Sequence, residues 1–378
     1  MKFIHLSDLH LGKRVHYFSM VEDQRIILEQ ILEIVDDEQP DAVLIAGDVY
    51  DRTIPSAEAI GLLDDFLVAL SKREIPVLLI SGNHDSPDRL TFAARLMEKS
   101  KVHIAPVYNG NTAHVTFHDE YGAVTVWMLP FLKPVHARRC FPEETIETYT
   151  DAIDCAIRHM DLRENERNVL MTHQFVSGSN RCDSEELSVG GTDNVDPSVF
   201  APFDYVALGH LHGPQNVMGD RIRYCGTPLK YSFSEIAHKK SVTVVELSEK
   251  NVHTIRTIPL IPKRDFLKLR GTYLEVSSRA YYQNLDRDSY IQVTLTDEDD
   301  VPDAMAKLRV IYPNLMLLTY DNRRTQSSDH LEGATMRDEQ TPLDLFESFY
   351  HQQTAGTLSE QQRAYLTHVM ETIWEEHT

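Results

Sequence analysis

Carboxylate, imidazole and amide side chains occur in five short groups, and each group follows an apolar run of the sequence. The groups read Asp8-Leu9-His10, Gly47-Asp48-Val49-Tyr50-Asp51, Gly82-Asn83-His84-Asp85, Thr172-His173 and Gly209-His210-Leu211-His212. Their donor types suit hard to borderline divalent ions such as Mn²⁺, Fe²⁺ or Zn²⁺. The candidate metal ligands outnumber what one ion needs, and they are Asp8, His10, Asp48, Asn83, His173, His210 and His212. A carboxylate can bridge two ions, and ions about 3.5–4 Å apart can promote phosphoryl displacement.

Each group on its own also has a purely structural interpretation. Gly, Asn and Asp favour turns, so the groups around Asp48 and Asn83 could simply end strands. The pair His210 and His212 is more informative, because alternate residues of an extended segment point to the same side. All five groups in this order, each after an apolar strand, favour a metal site.

The elements that must position these groups alternate between strand and helix. Strands are predicted over 3–7, 42–46 and 76–81, with helices over 21–35 and 57–71 between them. Further strands are predicted near 102–104, 124–129, 169–172, 205–208, 221–225 and 241–247, and a helix over 143–160. This alternation predicts an α/β domain. In open α/β sheets ligands bind beyond the carboxyl ends of strands, so the five groups can converge.

The remainder of the chain divides into smaller parts. We predict a main α/β domain over 1–262, a small α/β domain over 263–322, a polar linker over 323–341 and a helical tail over 342–378. The small domain contains predicted strands over 289–295 and 315–320 around a helix over 302–311. In the tail, an apolar stripe could dock a partner or fold back on its own domain, and its residues are Leu366, Val369, Met370 and Ile373.

Composition excludes several classes of protein. The chain has 378 residues, 42% of them hydrophobic and 25% charged, which excludes a mainly disordered chain. It has no apolar stretch long enough to span a membrane and no signal-peptide pattern, so we expect a cytoplasmic protein. Four widely separated cysteines predict neither a zinc knuckle nor a disulfide framework. A net charge of −21 argues against a passive DNA-coating protein but not against an enzyme with a local basic patch.

The set D-x-H, G-D, G-N-H-D, H and G-H-x-H resembles the calcineurin-like metallophosphoesterase superfamily. Residues 4–12, 46–51, 205–212 and 224–229 (IHLSDLHLG, AGDVYD, YVALGHLH and YCGTPL) are similar to its SbcD-type nuclease subunits. The resemblance covers the whole chain. It implies a four-layer sandwich of two β-sheets flanked by helices, a small α/β domain that caps the DNA site, and a C-terminal helical tail.

The resemblance also implies roles for individual residues. Asp8, His10, Asp48 and His212 would hold one ion, and Asp48, Asn83, His173 and His210 would hold the other. His84 would stabilise the transition state or protonate the leaving 3′ oxygen, and Asp85 would orient His84. The implied activity is Mn²⁺-dependent hydrolysis of DNA, as an exonuclease on duplex ends and an endonuclease on single strands or hairpins, in DNA repair, recombination and replication.

The implied partner is an SbcC-type ATPase, and this chain has no G-x-x-x-x-G-K-[ST] motif of its own. The implied assembly is a heterotetramer with a homodimer of this chain, for which the segments 57–71 or 88–99 could supply a face. Candidate phosphate contacts are Lys13, Arg14, Arg52 and Arg89. The pairs Arg138-Arg139, Lys239-Lys240 and Lys263-Arg264 could contact DNA or be solvated, and nothing predicts base readout.

Two other functions remain open at this stage. The same fold could act on a non-DNA substrate, as a phosphatase, a nucleotidase or a cyclic-nucleotide phosphodiesterase. The small domain and the tail argue against this, because a minimal phosphatase needs neither. The chain could also be a scaffold that has lost activity, but the intact ligand set and His84 oppose that interpretation.

Overall fold

The computed structural model describes residues 1–180, 182, 185, 193–322, 343, 346–347, 350 and 358–376. The described residues form two compact units, which divide between Lys263 and Arg264. The predicted linker over 323–341 lies outside the described residues, as does most of the helical pattern predicted over 342–350. Among the described helices, none has the length and apolar character that a bilayer crossing requires.

The strands are short, as is usual for a globular protein. In chain order they are β1 (Lys2–Leu6), β2 (Arg14–Val15), β3 (Phe18–Ser19), β4 (Ala42–Ala46), β5 (Val77–Ile80), β6 (Val102–Ile104), β7 (Ala113–Asp119), β8 (Gly122–Met128), β9 (Arg167–His173), β10 (Phe175–Val176), β11 (Asn194–Val195), β12 (Tyr205–Gly209), β13 (Gln215–Val217), β14 (Ile222–Tyr224), β15 (Ser241–Leu247), β16 (His253–Pro259), β17 (Phe266–Gly271), β18 (Tyr290–Leu295) and β19 (Leu315–Tyr320).

The helices lie mostly between strands. They are α1 (Val21–Glu38), α2 (Ala57–Lys72), α3 (Pro87–Leu90), α4 (Ala94–Met97), α5 (Pro134–Cys140), α6 (Tyr149–Arg158), α7 (Tyr273–Val276), α8 (Arg279–Tyr282), α9 (Ala304–Ile311) and α10 (Glu360–Glu376). The helix predicted over 143–160 is wrong at its start. Thr148 caps α6 by accepting from Asp151 N, and the Asp151 side chain accepts from the Thr148 backbone, so the helix begins at Tyr149.

Two six-stranded sheets build the first unit. The first sheet has the order β16-β15-β1-β4-β5-β6, in which β1, β4, β5 and β6 are parallel and β15 and β16 are antiparallel to their neighbours. The second has the order β13-β14-β12-β9-β8-β7, in which β14, β12, β9 and β8 are parallel. Antiparallel strands β13 and β7 close its edges. The carboxyl ends of the parallel strands in each sheet therefore share one edge.

The sheets pack face to face through one apolar core. Alternate residues of β4, such as Leu44 and Ala46, lie in this core with Val126 of β8 and Val169 and Met171 of β9. The other residues of β4 are equally buried, so this strand is covered on both faces. Helices α1 and α2 connect parallel strands of the first sheet and bury an apolar stripe. Because the inner face is occupied by the second sheet, these helices cover the outer face.

Helix α6 supplies the layer on the other side. Its residues Ala152, Ile153 and Ala156 pack in one cluster with Leu170 and Val206 of the second sheet. The order of layers is thus helix, sheet, sheet, helix. The predicted four-layer α/β sandwich is confirmed.

The second unit contains a three-stranded parallel sheet with the order β17-β18-β19. Its core includes Leu269, Ile291 and Val293 of the strands and Leu308 and Tyr312 at α9. The predicted strand–helix–strand pattern is present, with an additional strand β17 before it and the short helices α7 and α8. Helix α10 belongs to the same unit.

Candidate metal centre

The seven predicted metal ligands come from strand ends of both sheets. Asp8 and His10 follow β1, Asp48 follows β4 and Asn83 follows β5, all in the first sheet. In the second sheet, His173 is the last residue of β9, and His210 and His212 follow β12. The structure brings all seven together.

One group of ligand atoms consists of Asp8, His10 and His212, whose side chains are buried. His10 Nε2 lies 3.1 Å from His212 Nε2. The Asp48 carboxylate is next to this group, with Oδ2 3.8 Å from His10 Nε2. Two imidazole nitrogens and two carboxylates therefore face a common point.

A second group surrounds the other side of Asp48. Asn83 Oδ1 lies 3.0 Å from both His173 Nε2 and His210 Nδ1. Asp48 Oδ2 lies 3.3 Å from His173 Nε2, and Asp8 Oδ1 lies 4.0 Å from the same nitrogen. Asp48 thus stands between the two groups, where a bridging carboxylate would stand.

The spacing of these atoms fits divalent ions. Ligand atoms at about 2.0–2.2 Å from an ion are about 3.0–3.5 Å from one another in tetrahedral or octahedral geometry. The distances of 3.0, 3.1 and 3.3 Å within the groups lie in that range. Imidazole nitrogen with carboxylate and amide oxygen suits Mn²⁺, Fe²⁺ or Zn²⁺. The residues therefore fit two divalent ions that share Asp48.

The backbone at the ligands is strained. Four of them have a positive φ: Asp8 at 52°, His10 at 44°, Asp48 at 47° and His210 at 106°. Residues with a Cβ rarely adopt this region, and each such residue costs about 1–3 kcal/mol. This strain is concentrated at the strand ends that carry the ligands, and the packed sheets must offset it.

Two glycines allow the ligand loops to approach each other. A Cβ at Gly82 would collide with the backbone and carboxylate of Asp48. A Cβ at Gly209 would collide with the carbonyl of Ala46 and lie 2.6 Å from His173 Nδ1. Both positions therefore require glycine for close packing of neighbouring strand ends.

The ionisation of the ligands reflects burial and mutual charge. Burial raises the pKa of Asp8 to about 6, against the opposing effect of His173. Burial lowers the pKa of His10 well below its ordinary value, so this ring is neutral. Burial would also lower the pKa of His173, but Asp48 and Asp8 outweigh it and raise that pKa to about 9. Carboxylates that favour a proton on His173 also favour a metal cation at this place.

His84 lies at the edge of the two groups. Its Nδ1 is 3.1 Å from the backbone oxygen of Asp51. Because a carbonyl only accepts, Nδ1 carries the hydrogen, and this leaves Nε2 toward the site, 3.9 Å from Asp48 Oδ2. The His84 side chain is 18% exposed, so a substrate can reach it.

The carboxylate of Asp85 accepts three hydrogen bonds from the backbone. Its Oδ2 accepts from Val49 N at 3.1 Å and from Gly82 N at 3.0 Å, and its Oδ1 accepts from Tyr50 N at 2.9 Å. Asp85 therefore holds two ligand loops together through their backbones. His84 Nδ1 lies 3.1 Å from the Asp51 carbonyl, and the expected role of Asp85 in orienting the His84 ring stays a prediction.

Comparison with family models gives two matches. The model described as calcineurin-like phosphoesterase matches residues 1–214. The model described as type 5 capsule protein repressor C-terminal domain matches residues 262–354.

Curated relatives match the whole chain. The SbcD subunit of the nuclease SbcCD from Staphylococcus epidermidis is 33% identical over 381 residues, which cover 99% of each chain. The chain belongs to the SbcD family of calcineurin-like phosphoesterases. The protein of the same name from Staphylococcus saprophyticus is 34% identical over 382 residues, which cover 100% of this chain and 99% of the relative. As a member of the SbcD family, the protein is a metal-dependent phosphodiester hydrolase.

Two solved structures match about two thirds of the chain. The protein TT1561 of Thermus thermophilus is 13% identical with a TM-score of 0.41, and the match covers 69% of this chain and 99% of that one. A dimetal phosphatase from Danio rerio is 15% identical with a TM-score of 0.38 and the same coverage.

The candidate DNA contacts of this SbcD-family chain differ in their availability. Lys13 Nζ is 2.6 Å from Asp51 Oδ1 and is largely covered. Arg14 donates to the backbone oxygen of Tyr17, and Arg89 donates to that of Thr53. The Arg52 side chain is 76% exposed, and its Nε lies 3.8 Å from Asp51 Oδ2. Arg14, Arg52 and Arg89 are thus exposed, whereas Lys13 is largely covered.

Sequence reasoning missed Glu235 and Lys240, two residues that contact His212. Lys240, considered as part of a DNA-contacting pair with Lys239, is buried and forms an ion pair with buried Glu235. It cannot contact DNA there, because its ammonium group points into the protein. Glu235 lies in a short 3-10 turn (Phe233–Ala237). No signal in its local sequence separates Glu235 from the exposed acidic residues.

The proposed partner stripe lies on α10. Leu366, Val369 and Met370 are partly buried, and the neighbouring Tyr365 is 68% exposed. The side chain of Ile373 lies outside the described part of this helix.

Proposed function

We propose that this protein is a two-metal DNA nuclease that acts as an exonuclease on duplex ends and an endonuclease on single strands and hairpins. One observation carries the proposal: seven ligands from two sheets form two groups that share Asp48. Membership of the SbcD family supports DNA as the substrate, since both staphylococcal relatives are named as nucleases. We assign the first group to one ion and the second to the other, with Mn²⁺ as the preferred metal.

When bound, such a pair of ions supplies charge stabilisation to both the attacking and the leaving oxygen of a phosphodiester. The chain contributes the rest. His84 carries a hydrogen on Nδ1 and directs Nε2 toward the site, so a second proton on Nε2 can stabilise the phosphorane or pass to the leaving 3′ oxygen. Asp85 fixes the loops that carry Asp48 and His84.

The remaining parts of the chain fit a larger DNA-processing assembly. We propose that residues 263–322 cap the DNA and that residues 342–378 bind an SbcC-type ATPase through Leu366, Val369, Met370 and Ile373. The chain has no P-loop motif, so ATP hydrolysis would come from that partner. We assign the complex to DNA repair, recombination and replication in the cytoplasm.

A homodimer within a heterotetramer would need a surface on each copy. The segments proposed for it expose apolar side chains, Ile60 and Val68 on α2 and Phe92 and Leu96 at α3 and α4. Exposed apolar residues of this size are typical of protein interfaces when they cluster. Sedimentation of the chain alone should give a dimer, and Phe92→Asp should give a monomer.

The proposed activity can be tested with an end-labelled linear duplex, incubated with the purified chain in Mn²⁺, in Mg²⁺ and in chelator. We expect Mn²⁺-dependent release of labelled nucleotides, abolished by His84→Ala and retained by His118→Ala on the exposed face of β7. Hairpin and single-stranded circles test the endonuclease activity.

Phosphopeptides and cyclic nucleotides serve as competing substrates in the same assay. Hydrolysis of these without hydrolysis of DNA would refute the nuclease assignment in favour of a phosphatase or phosphodiesterase. If DNA is cleaved equally by the unaltered protein and by His84→Ala, the role of His84 is wrong.

A further inference from the structure

An opposite-charge pair lies buried behind the ligand His212. Lys240 Nζ is 2.5 Å from Glu235 Oε2, and neither residue has appreciable contact with solvent. Burial of two charges is expensive, and replacement by apolar residues is often neutral or stabilising. A pair retained at such a place therefore points to a role beyond stability.

The contacts of this pair converge on His212. Lys240 Nζ donates to the backbone oxygen of His212 at 2.9 Å and to Thr227 Oγ1 at 2.5 Å. Glu235 Oε1 lies 3.4 Å from His212 Nδ1. The backbone N–H of Tyr231 also donates to Glu235 Oε1, at 3.2 Å. Both the ring and the main chain of His212 are thus held by the pair.

The position of Glu235 determines which imidazole nitrogen can bind an ion. A carboxylate at Nδ1 accepts the hydrogen of that nitrogen and leaves the lone pair on Nε2. His212 Nε2 is the atom that faces the candidate centre, 3.1 Å from His10 Nε2. Lys240 Nζ lies 2.5 Å from the other carboxylate oxygen of Glu235, where its positive charge offsets the charge of the buried carboxylate.

We propose that Glu235 and Lys240 are positioning residues for the ion held by Asp8, His10 and His212. Glu235 fixes the tautomer and the orientation of His212, and Lys240 neutralises Glu235 and anchors the His212 main chain. The proposal rests on the proposed two-metal function, and it concerns one ion of the two. The pair bonds to His212, whereas the other ion's group is centred on Asn83 with His173 and His210.

The test compares two double variants of the full chain that both remove the charges. Glu235→Gln/Lys240→Met keeps an oxygen acceptor, and the Tyr231 N–H that donates to this position favours the amide oxygen there. Glu235→Leu/Lys240→Met has no acceptor. Neither variant leaves an unpaired buried charge, so we expect both double variants to fold. Mn²⁺ titration by calorimetry, together with Mn²⁺ electron paramagnetic resonance, reports the number of ions and their affinities.

We expect the Gln/Met variant to bind two ions with nearly unaltered affinity. The Leu/Met variant should bind one of the two ions about 10–100-fold more weakly and should show the spectrum of isolated Mn²⁺ rather than of a coupled pair. Asp204→Asn is the matched control, because Asp204 is a buried carboxylate paired with Lys250 at 3.3 Å and bonded to the backbone N–H groups of Asn168 and Asn251. This variant should lose stability but still bind two ions.

Equal affinities of both ions in the two double variants would overturn the positioning role. A loss of both ions to the same extent in the Leu/Met and Asp204→Asn variants would also overturn it, since it would reflect general destabilisation. An unaltered chain that binds fewer than two ions refutes the two-metal function itself, and this outcome is distinct from the other two.

Discussion

Replacement of Asp85 tests whether this residue holds the ligand loops or orients His84. The carboxylate accepts three backbone N–H groups, two at Oδ2 and one at Oδ1. In Asp85→Asn the amide oxygen can keep the two bonds from Val49 and Gly82, and the amide nitrogen then faces the N–H of Tyr50. One buried N–H without an acceptor costs about 1–3 kcal/mol. Asp85→Ala leaves three such groups and costs about 3–9 kcal/mol by the same reasoning, against a total stability of about 5–15 kcal/mol.

The assay is urea unfolding in chelator at pH 8. Burial and the charge of Asp48 raise the pKa of Asp85 to about 6, so the carboxylate is ionised at that pH and all three bonds are present. We expect the free energy of unfolding to be highest for the unaltered protein, lower for Asp85→Asn and lowest for Asp85→Ala. Asp36→Asn is the control, since Asp36 forms an exposed ion pair with Arg73 and should change stability little.

The result that refutes this reasoning is specific. If Asp85→Asn unfolds at the same urea concentration as the unaltered protein, but its cleavage rate falls as far as that of His84→Ala, the carboxylate acts on the His84 ring. The loop contacts would then contribute nothing measurable, contrary to the three distances on which the prediction depends.

Three further substitutions have defined outcomes. Gly209→Ala places a Cβ against the Ala46 carbonyl, so it should lower stability by about 1–3 kcal/mol and weaken metal binding, measured by urea unfolding and Mn²⁺ titration. Asp119→Asn should destabilise by about 3 kcal/mol at pH 7, because buried Arg167 loses its partner. Arg167 holds the pKa of Asp119 below its ordinary value, so thermal melts should show this difference shrinking as the pH falls below about 4. Arg52→Ala should weaken DNA binding and reduce its salt dependence by about one phosphate contact, measured by anisotropy at several salt concentrations.

The sequence pattern predicted an α/β domain because its determinants are local, whereas the four-layer sandwich was implied by the family resemblance. Short apolar runs such as 42–46 and 205–208 end in polar groups, and this pattern specifies both a buried parallel strand and the edge at which its ligands lie. The helix over 143–160 was wrong at its start for a local reason that was visible: Thr148 and Asp151 form a capping box. The prediction extended the helix back to residue 143, whereas the cap makes it begin at Tyr149.

The residues that sequence analysis missed act over long sequence distances. The edge strands β7 and β16 were also not predicted, although Ala113, Val115 and Phe117 of β7 alternate with exposed residues as a half-buried strand does. Lys240 and Glu235 read as ordinary surface charges, because their burial depends on His212 and Thr227 from distant parts of the chain. Asp85 likewise sits in a recognised motif, but its three backbone donors come from two loops that only the fold brings together.

The contact between the two sheets at the candidate metal centre has a thermodynamic consequence. Asp8 and Asp48 belong to one sheet and His173, His210 and His212 to the other, and direct bonds already cross this contact, from His210 N to Asp8 Oδ1 at 3.0 Å and between His173 Nδ1 and the Ala46 oxygen at 2.9 Å. An ion that binds only this arrangement cross-links the layers and adds about 2.7 kcal/mol of stability at a hundredfold excess over its Kd. Removal of the ions by a chelator should therefore weaken the contact between the two sheets. The melting temperature and the cleavage rate should decline together as the free ion concentration falls.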